Sequence, residues 1–143
     1  MNGTIKPDAT PKKVFLTKKT ILEAEDLAHE DVYVKEWGGW VRVRGLTGTE
    51  RDRYETSLFS DVKKGAKPDL RNIRSKLVTM CLTNEDGKHL FSFNDVEKLG
   101  KKSAKALDLV FAKAQELSGL RKEDVDELQK NLESVQKEDS NSD

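Results

Sequence analysis

Between Ser103 and Gly119, the residues Leu107, Val110, Phe111, Ala114 and Leu117 recur at the i, i+3, i+4, i+7 and i+10 spacing of a single helix face. Gly119 follows as the residue that most readily takes the left-handed turn ending a helix. This is the strongest helical pattern in the chain, and its apolar stripe needs a surface to pack on. Such surface is scarce. Of the 143 residues, 35% are hydrophobic and 36% are charged, so the core is small and the exterior densely ionic. With 26 basic and 26 acidic side chains the net charge is zero, and repulsion does not oppose collapse. One compact domain with loose ends fits. The same balance argues against a phosphate-neutralising nucleic-acid binder, which carries a basic excess.

Residues 1–13 place Gly3, Pro7 and Pro11 among Thr, Lys and Asp and read as a flexible arm, since they bury too little apolar surface to offset the entropy of ordering. Val14-Phe15-Leu16 is the first apolar anchor, and residues 20–27 predict a turn or two of helix. Val32-Tyr33-Val34 and Val41-Arg42-Val43-Arg44 alternate with period two on either side of Trp37-Gly38-Gly39-Trp40, the pattern of a β-hairpin. Val41 and Val43 then share one face, and Trp40, Arg42 and Arg44 the other, where an indole can lie under a guanidinium. Ordinary cross-strand packing with solvated arginines accounts for the same pattern.

Thr47-Gly48-Thr49-Glu50 is a capping box and predicts a helix of about 12 residues carrying Tyr54, Leu58 and Val62, with Phe59 beside them. The basic loop 63–68, with Gly65 and Pro68, ends it. The next helix is expected to open near Asp69 with Leu70, Ile73, Leu77 and Cys81 on one face. Residues 83–88 predict the turn of a second hairpin or short extended pair, and Asn94-Asp95-Val96-Glu97 predicts another helix cap, with Val96 and Leu99 as its apolar face. Beyond Leu120, the residues Val125, Leu128, Leu132 and Val135 step by three, four and three, a narrow stripe suited to meeting another helix. The expected fold is α+β: N-terminal β-hairpins packed on a mostly helical body of about four to five helices. It forms a single domain over residues 14–132, between the arm 1–13 and a disordered acidic tail, 133–143.

Recognisable catalytic chemistry is missing from this pattern. Cys81 has no cysteine to pair with and reads as a small buried hydrophobe in a reducing compartment. His29 and His89 read as solvated surface residues rather than general bases. Gly38-Gly39 and residues 45–48 lack the lysine spacing of a phosphate loop. Residues 83–88 lack the alternating oxygen ligands and terminal glutamate of a calcium loop. Glu123, Asp124 and Glu127 read as a solvated helix face, and the lysine pairs are dispersed without an aromatic platform for bases. No apolar run approaches the roughly 20 residues that cross a bilayer, and the N-terminus lacks a signal-peptide pattern. The expectation is a non-catalytic protein without cofactor or metal, with neither nucleic acid nor membrane as partner, acting through surface and shape.

Residues 34–52, which include Trp37-Gly38-Gly39-Trp40 and Gly45-Leu46-Thr47-Gly48-Thr49-Glu50, resemble the hairpin-to-first-helix segment of tail assembly chaperones of long-tailed, siphovirus-type bacteriophages and prophages. Residues 15–22 are similar to the start of those proteins. The likeness continues, in order, through residues 86–99, 117–120 and 125–131, and spans residues 14–131. Arg121 departs from the pattern: a serine or threonine often stands there and caps the last helix through its oxygen, which arginine lacks. The resemblance implies an assembly factor of the host bacterial cytoplasm. It would bind and solubilise the tape measure protein, help recruit tail tube protein, self-associate, and be absent from the finished virion. Many such proteins also exist as a longer frameshifted product.

On this reading the partner-binding candidates are the stripe Val125, Leu128 and Leu132, with Phe111 and Leu117 beneath or beside it, and the face of Trp37, Trp40 and Arg42, which is either a second contact or hairpin packing. The competing expectations are another phage structural component, a tail or head-completion protein retained in the virion, and a small DNA-binding regulator. Five lysines against Asp8 give residues 1–20 a net charge of +4, whereas four basic and eight acidic side chains give residues 121–143 a net of −4. The overall zero therefore conceals oppositely charged ends, whose attraction weakens as salt rises.

Overall fold

Strands β1 (His29–Val34) and β2 (Gly39–Arg44) form the expected hairpin in a computed structural model that describes residues 11–59 and 70–120. The register runs from His29 opposite Arg44 to Val34 opposite Gly39. A 3-10 turn, Lys35–Trp37, connects the strands, and Gly38 closes it at φ 72°, a left-handed conformation that side chains with a Cβ resist. The alternation fixes the faces: Val34 and Val43 are fully buried and Val32 and Val41 partly so, while Tyr33, Trp40 and Arg42 point outward. Strand β3 (Leu82–Thr83) pairs antiparallel with β2, which puts β2 in the middle of a three-stranded sheet. Of the second hairpin or short extended pair expected about residues 83–88, the structure has the short pair: Thr83 bridges His89, and the Leu90 N–H donates to the Leu82 carbonyl at 3.1 Å.

The inner face of the sheet meets helices. Helix α1 (Lys18–Glu23) precedes the hairpin, and α2 (Gly48–Ser57) follows it, begun by the Thr47–Glu50 capping box. Helices α3 (Ile73–Cys81), α4 (Val96–Gly100) and α5 (Ala104–Ser118) complete the described body. The architecture is α+β, with the hairpin packed on a mostly helical body. Helix α5 has the limits its sequence predicts: the Ser103 hydroxyl accepts from the Ala106 N–H, and Gly119 ends the helix at φ 69°. Its buried face carries Ala106, Leu107, Val110 and Ala114, with Phe111 and Leu117 partly buried.

Helix α3 packs against α5, α4 and α2 and is buried almost all round, including Ser75, Leu77, Val78, Thr79, Met80 and Cys81. Its hydroxyls need no solvent, because Ser75 donates to the Asn72 carbonyl at 3.2 Å and Thr79 to the Lys76 carbonyl at 2.9 Å. The expected start near Asp69 is corrected: Asn72 sits at φ 57°, the helix opens at Ile73, and Leu70 is exposed rather than on the buried face. Asp69 itself, Val62 and the loop 63–68 lie outside the described residues. Tyr54 and Leu58 are buried as expected, with Phe59 partly so. The Lys76 ammonium donates to the Ser57 carbonyl at 3.1 Å, tying α3 to the end of α2.

Two further boundaries shift. The helix anticipated over residues 20–27 is α1, which starts two residues earlier and ends four residues sooner than that span and is capped reciprocally by Thr17 and Thr20. The cap anticipated at Asn94 is made two residues earlier: the Ser92 N–H donates to Asp95 Oδ2 at 3.0 Å, and a 3-10 turn, Phe93–Asp95, leads into α4. Val96 and Leu99 are buried, as their spacing predicts. Most of the arm 1–13 and all of the tail 133–143 lie outside the described residues.

Candidate functional site

Arg42 occupies the centre of the outward hairpin face. Its Nε and Nη2 donate to the two carboxylate oxygens of Asp31, directly across the strands, at 2.8 and 3.1 Å, and its Nη1 donates to the Glu85 carbonyl at 3.3 Å. The guanidinium hydrogen bonds hold the Asp31 carboxyl below the usual carboxylate range. Trp40 is 69% exposed and meets Tyr33 edge-on, with ring centroids 5.5 Å apart. Of the two readings of this face, the structure has the cross-strand one, as two separate pairs, Tyr33 with Trp40 and Asp31 with Arg42, and no indole–guanidinium stack. Trp37 belongs to the turn and packs partly against the core. Of the three hairpin candidates, Trp40 alone presents a free ring.

Beside this face, β3 stops after two residues because Asn84 turns the chain. Asn84 Oδ1 accepts from the Asp86 and Lys88 N–H groups at 2.9 and 3.0 Å, and Gly87 completes the turn. β2 consequently keeps an open edge at Trp40 and Val41, where a groove of about 490 Å³ forms, lined by Trp40, Val41, Arg42 and Leu90 together with Asp31, Glu85 and Asp86. Three carboxylates against one guanidinium leave it acidic.

Glu50 ties the hairpin to the helices. Its Oε1 accepts from the Thr47 N–H at 2.9 Å and from Arg44 Nη2, while Oε2 lies 3.0 Å from His89 Nε2. His89 is exposed, as its sequence context suggests, and meets a carboxylate 39 positions earlier. Burial works against the Glu50 carboxylate, but the Thr47 N–H and Arg44 outweigh it and hold the group below the usual range. A depressed folded-state pKa means that this stabilisation is complete above the unfolded value near 4.5 and is lost as pH falls through the lower folded value. In urea melts, E50Q is expected to lower stability by about 1–2 kcal/mol at neutral pH, because glutamine keeps the capping bond to Thr47 but loses the charge that faces Arg44 and His89. The gap between E50Q and wild type should narrow as pH drops below 4.5. A gap that stays constant with pH rejects this role.

Among the described residues, a run of exposed apolar side chains lies at the first apolar anchor of the sequence. Phe15 is 84% exposed and Leu22 74%, with Val14, Leu16 and Ile21 also in solvent, and no residue of α1 is buried. The signal that marks this segment as a surface is the pairing of lysines on both sides of the anchor, Lys12-Lys13 and Lys18-Lys19. The other candidate stripe, Val125, Leu128 and Leu132, lies outside the described residues. Its proposed neighbours are placed: Phe111 sits under the Arg74 guanidinium at 6.0 Å, and Leu117 packs partly on the core.

Among the described residues, no group of three or more His, Cys, Asp or Glu side chains could hold a metal ion, and no helix is long and apolar enough to cross a membrane. Burial pushes the Cys81 thiol up to about 12, so it stays protonated at neutral pH. The Tyr54 phenol is raised in the same way.

Comparison with known proteins places the chain beside phage assembly factors. The family model described as phage tail assembly chaperone matches residues 17–131. The solved structure of the bacteriophage HK97 tail assembly chaperone is similar in fold, with a TM-score of 0.51 and 20% sequence identity, covering 69% of this chain and 90% of that one. No curated protein matches.

Proposed function

The chain belongs to the phage tail assembly chaperone family, and from that premise we propose that it binds the tape measure protein, keeps its hydrophobic helices soluble, helps recruit tail tube protein and self-associates, in the host cytoplasm and without catalysis. The observation that carries this reading is the family match across residues 17–131, which takes in the hairpin, every helix of the described body and the first part of the C-terminal stripe. A tail assembly chaperone has phage tail proteins as partners; the tape measure protein is the one whose chemistry, long apolar helices, suits an apolar stripe at helical spacing. Val125, Leu128 and Leu132 form that stripe in sequence, directly after Leu120, which is buried at the end of the core. The Trp40 ring and the Arg42 face provide a second contact in this reading.

Co-expression with the tape measure protein tests it. L128D/L132D is expected to abolish co-purification while the circular dichroism and melting temperature stay those of the wild type. Undiminished capture by a folded L128D/L132D chain removes the stripe from the proposal, and failure of the wild type to hold tape measure protein in solution removes the function. Mass spectrometry of purified virions should find the chain absent; its presence would favour a retained structural component.

A further inference from the structure

The arm and the groove have complementary chemistry, and we propose that the segment 12–22 of one chain docks into the β2-edge groove of a second copy, with Phe15 against Trp40 and Leu90. Helix α1 is six residues long, and an isolated helix shorter than about 12 residues is marginal in water. It nevertheless has both members of its capping box in place and comes with apolar side chains that none of the described residues covers: Val14, Phe15 and Leu16 before it, Ile21 and Leu22 within it. A capped, apolar and uncovered segment is one that another surface completes.

Charge identifies that surface. The anchor is bracketed by Lys12, Lys13, Lys18 and Lys19, and the groove presents Trp40 and Leu90 as exposed apolar walls among Asp31, Glu85 and Asp86. Asp31 is engaged by Arg42, which leaves Glu85 and Asp86 as the carboxylates to meet incoming ammonium groups. The groove volume, about 490 Å³, falls within the roughly 300–1,000 Å³ of ordinary binding clefts. Its floor is the unpaired stretch of β2, whose backbone suits an extended segment such as 14–16. The arm leaves the sheet at Ala28, whose carbonyl accepts from the Gly45 N–H at 2.9 Å, whereas Trp40 lies at the opposite, turn end of the hairpin. No arm residue lines the groove of its own chain. An arm from each copy filling the neighbour's groove gives either a closed pair or an open chain of subunits. The inference rests on the self-association within the proposed function and on no contact with the tape measure protein.

The purified full chain alone tests it. Sedimentation of the wild type is expected to show concentration-dependent mass. F15D/L16D, in the exposed arm, and E85K/D86K, in the groove, should each weaken association about tenfold or more with unchanged circular dichroism. Mixing the two variants should restore a dimer, since each retains the surface the other lacks, and adding K18E/K19E to E85K/D86K should recover part of the loss. Chains carrying F15C mixed with chains carrying L90C should give a cross-linked dimer with a short bis-maleimide; the buried, protonated Cys81 does not compete. A wild type that is monomeric at every concentration overturns the proposal, as does either variant associating like the wild type. In an F15C/L90C double variant, cross-linking solely within one chain would assign the groove to that chain's own arm. Unchanged self-association by F15D/L16D with lost tape measure capture would assign the arm to that partner, leaving the proposed function standing.

Discussion

Replacing Leu77 with alanine is expected to lower the free energy of unfolding by about 2–5 kcal/mol, a large share of the roughly 5–15 kcal/mol that holds a small domain together. Leu77 has no exposed surface and lies at the middle of α3, the helix that α2, α4 and α5 surround. It shares one buried cluster with Val78, Cys81, Leu107 and Val110, and α3 packs directly on α5, so collapse around a cavity there is limited. Leu109 is the control. It is the same residue type on α5 but 47% exposed, and L109A should stay within about 0.5 kcal/mol of wild type. For a domain of this size each kcal/mol moves the melting temperature by roughly 4–8 °C, so thermal scans and urea titrations both resolve the difference. Equal, small losses for the two variants would mean that α3 is not the centre of the core.

The contrast between these leucines marks what the sequence does and does not disclose. α5 was legible because its stripe, its serine cap and its closing glycine agree, and the Thr47–Glu50 box placed α2 for the same reason: these are local contacts within four residues. The hairpin faces followed from alternation. α3 was harder, since Ser75 and Thr79 look like a solvated side yet hydrogen-bond their own helix and go into the core. Periodicity tells which side chains are apolar together; it is silent on what covers them. Val14-Phe15-Leu16 therefore read as a core anchor although the fold leaves it bare. The groove was invisible for another reason, because it arises where β3 ends early and brings Leu90 and Asp86 beside Trp40, residues about 50 positions apart. The Glu50–His89 contact is of the same non-local kind. Family resemblance supplied what such patterns lack, and residues 45–50, within its quoted run 34–52, form the corner where sheet, α2 and α5 meet.

That corner carries the second large effect, in which two glycines three residues apart respond with opposite sign. A Cβ on Gly45 would lie 2.5 Å from the Leu117 carbonyl oxygen and 3.1 Å from its carbon, in the last turn of α5. Neither side can yield easily. The Gly45 N–H is bound to the Ala28 carbonyl at 2.9 Å, and the Leu46 N–H is bound to Ser118 Oγ at 3.0 Å, which clamps the sheet corner to the helix end. G45A is expected to cost about 1–3 kcal/mol, the range of overpacking a well-filled site. At Gly48, the first residue of α2, an added Cβ meets nothing within 4 Å, and G48A should stabilise by about 0.4–1 kcal/mol, because alanine loses less chain freedom on entering a helix. The corner also holds the last turn of α5, and Gly119, Leu120 and, further along the sequence, Val125, Leu128 and Leu132 follow it. In the proposed function, G45A should therefore weaken tape measure capture at temperatures where the variant is still folded, and G48A should leave it intact. Urea titrations of both variants, with capture assayed below their melting temperatures, check the pair of signs; G45A as stable as G48A would mean that the α5 terminus does not press on the sheet at this point.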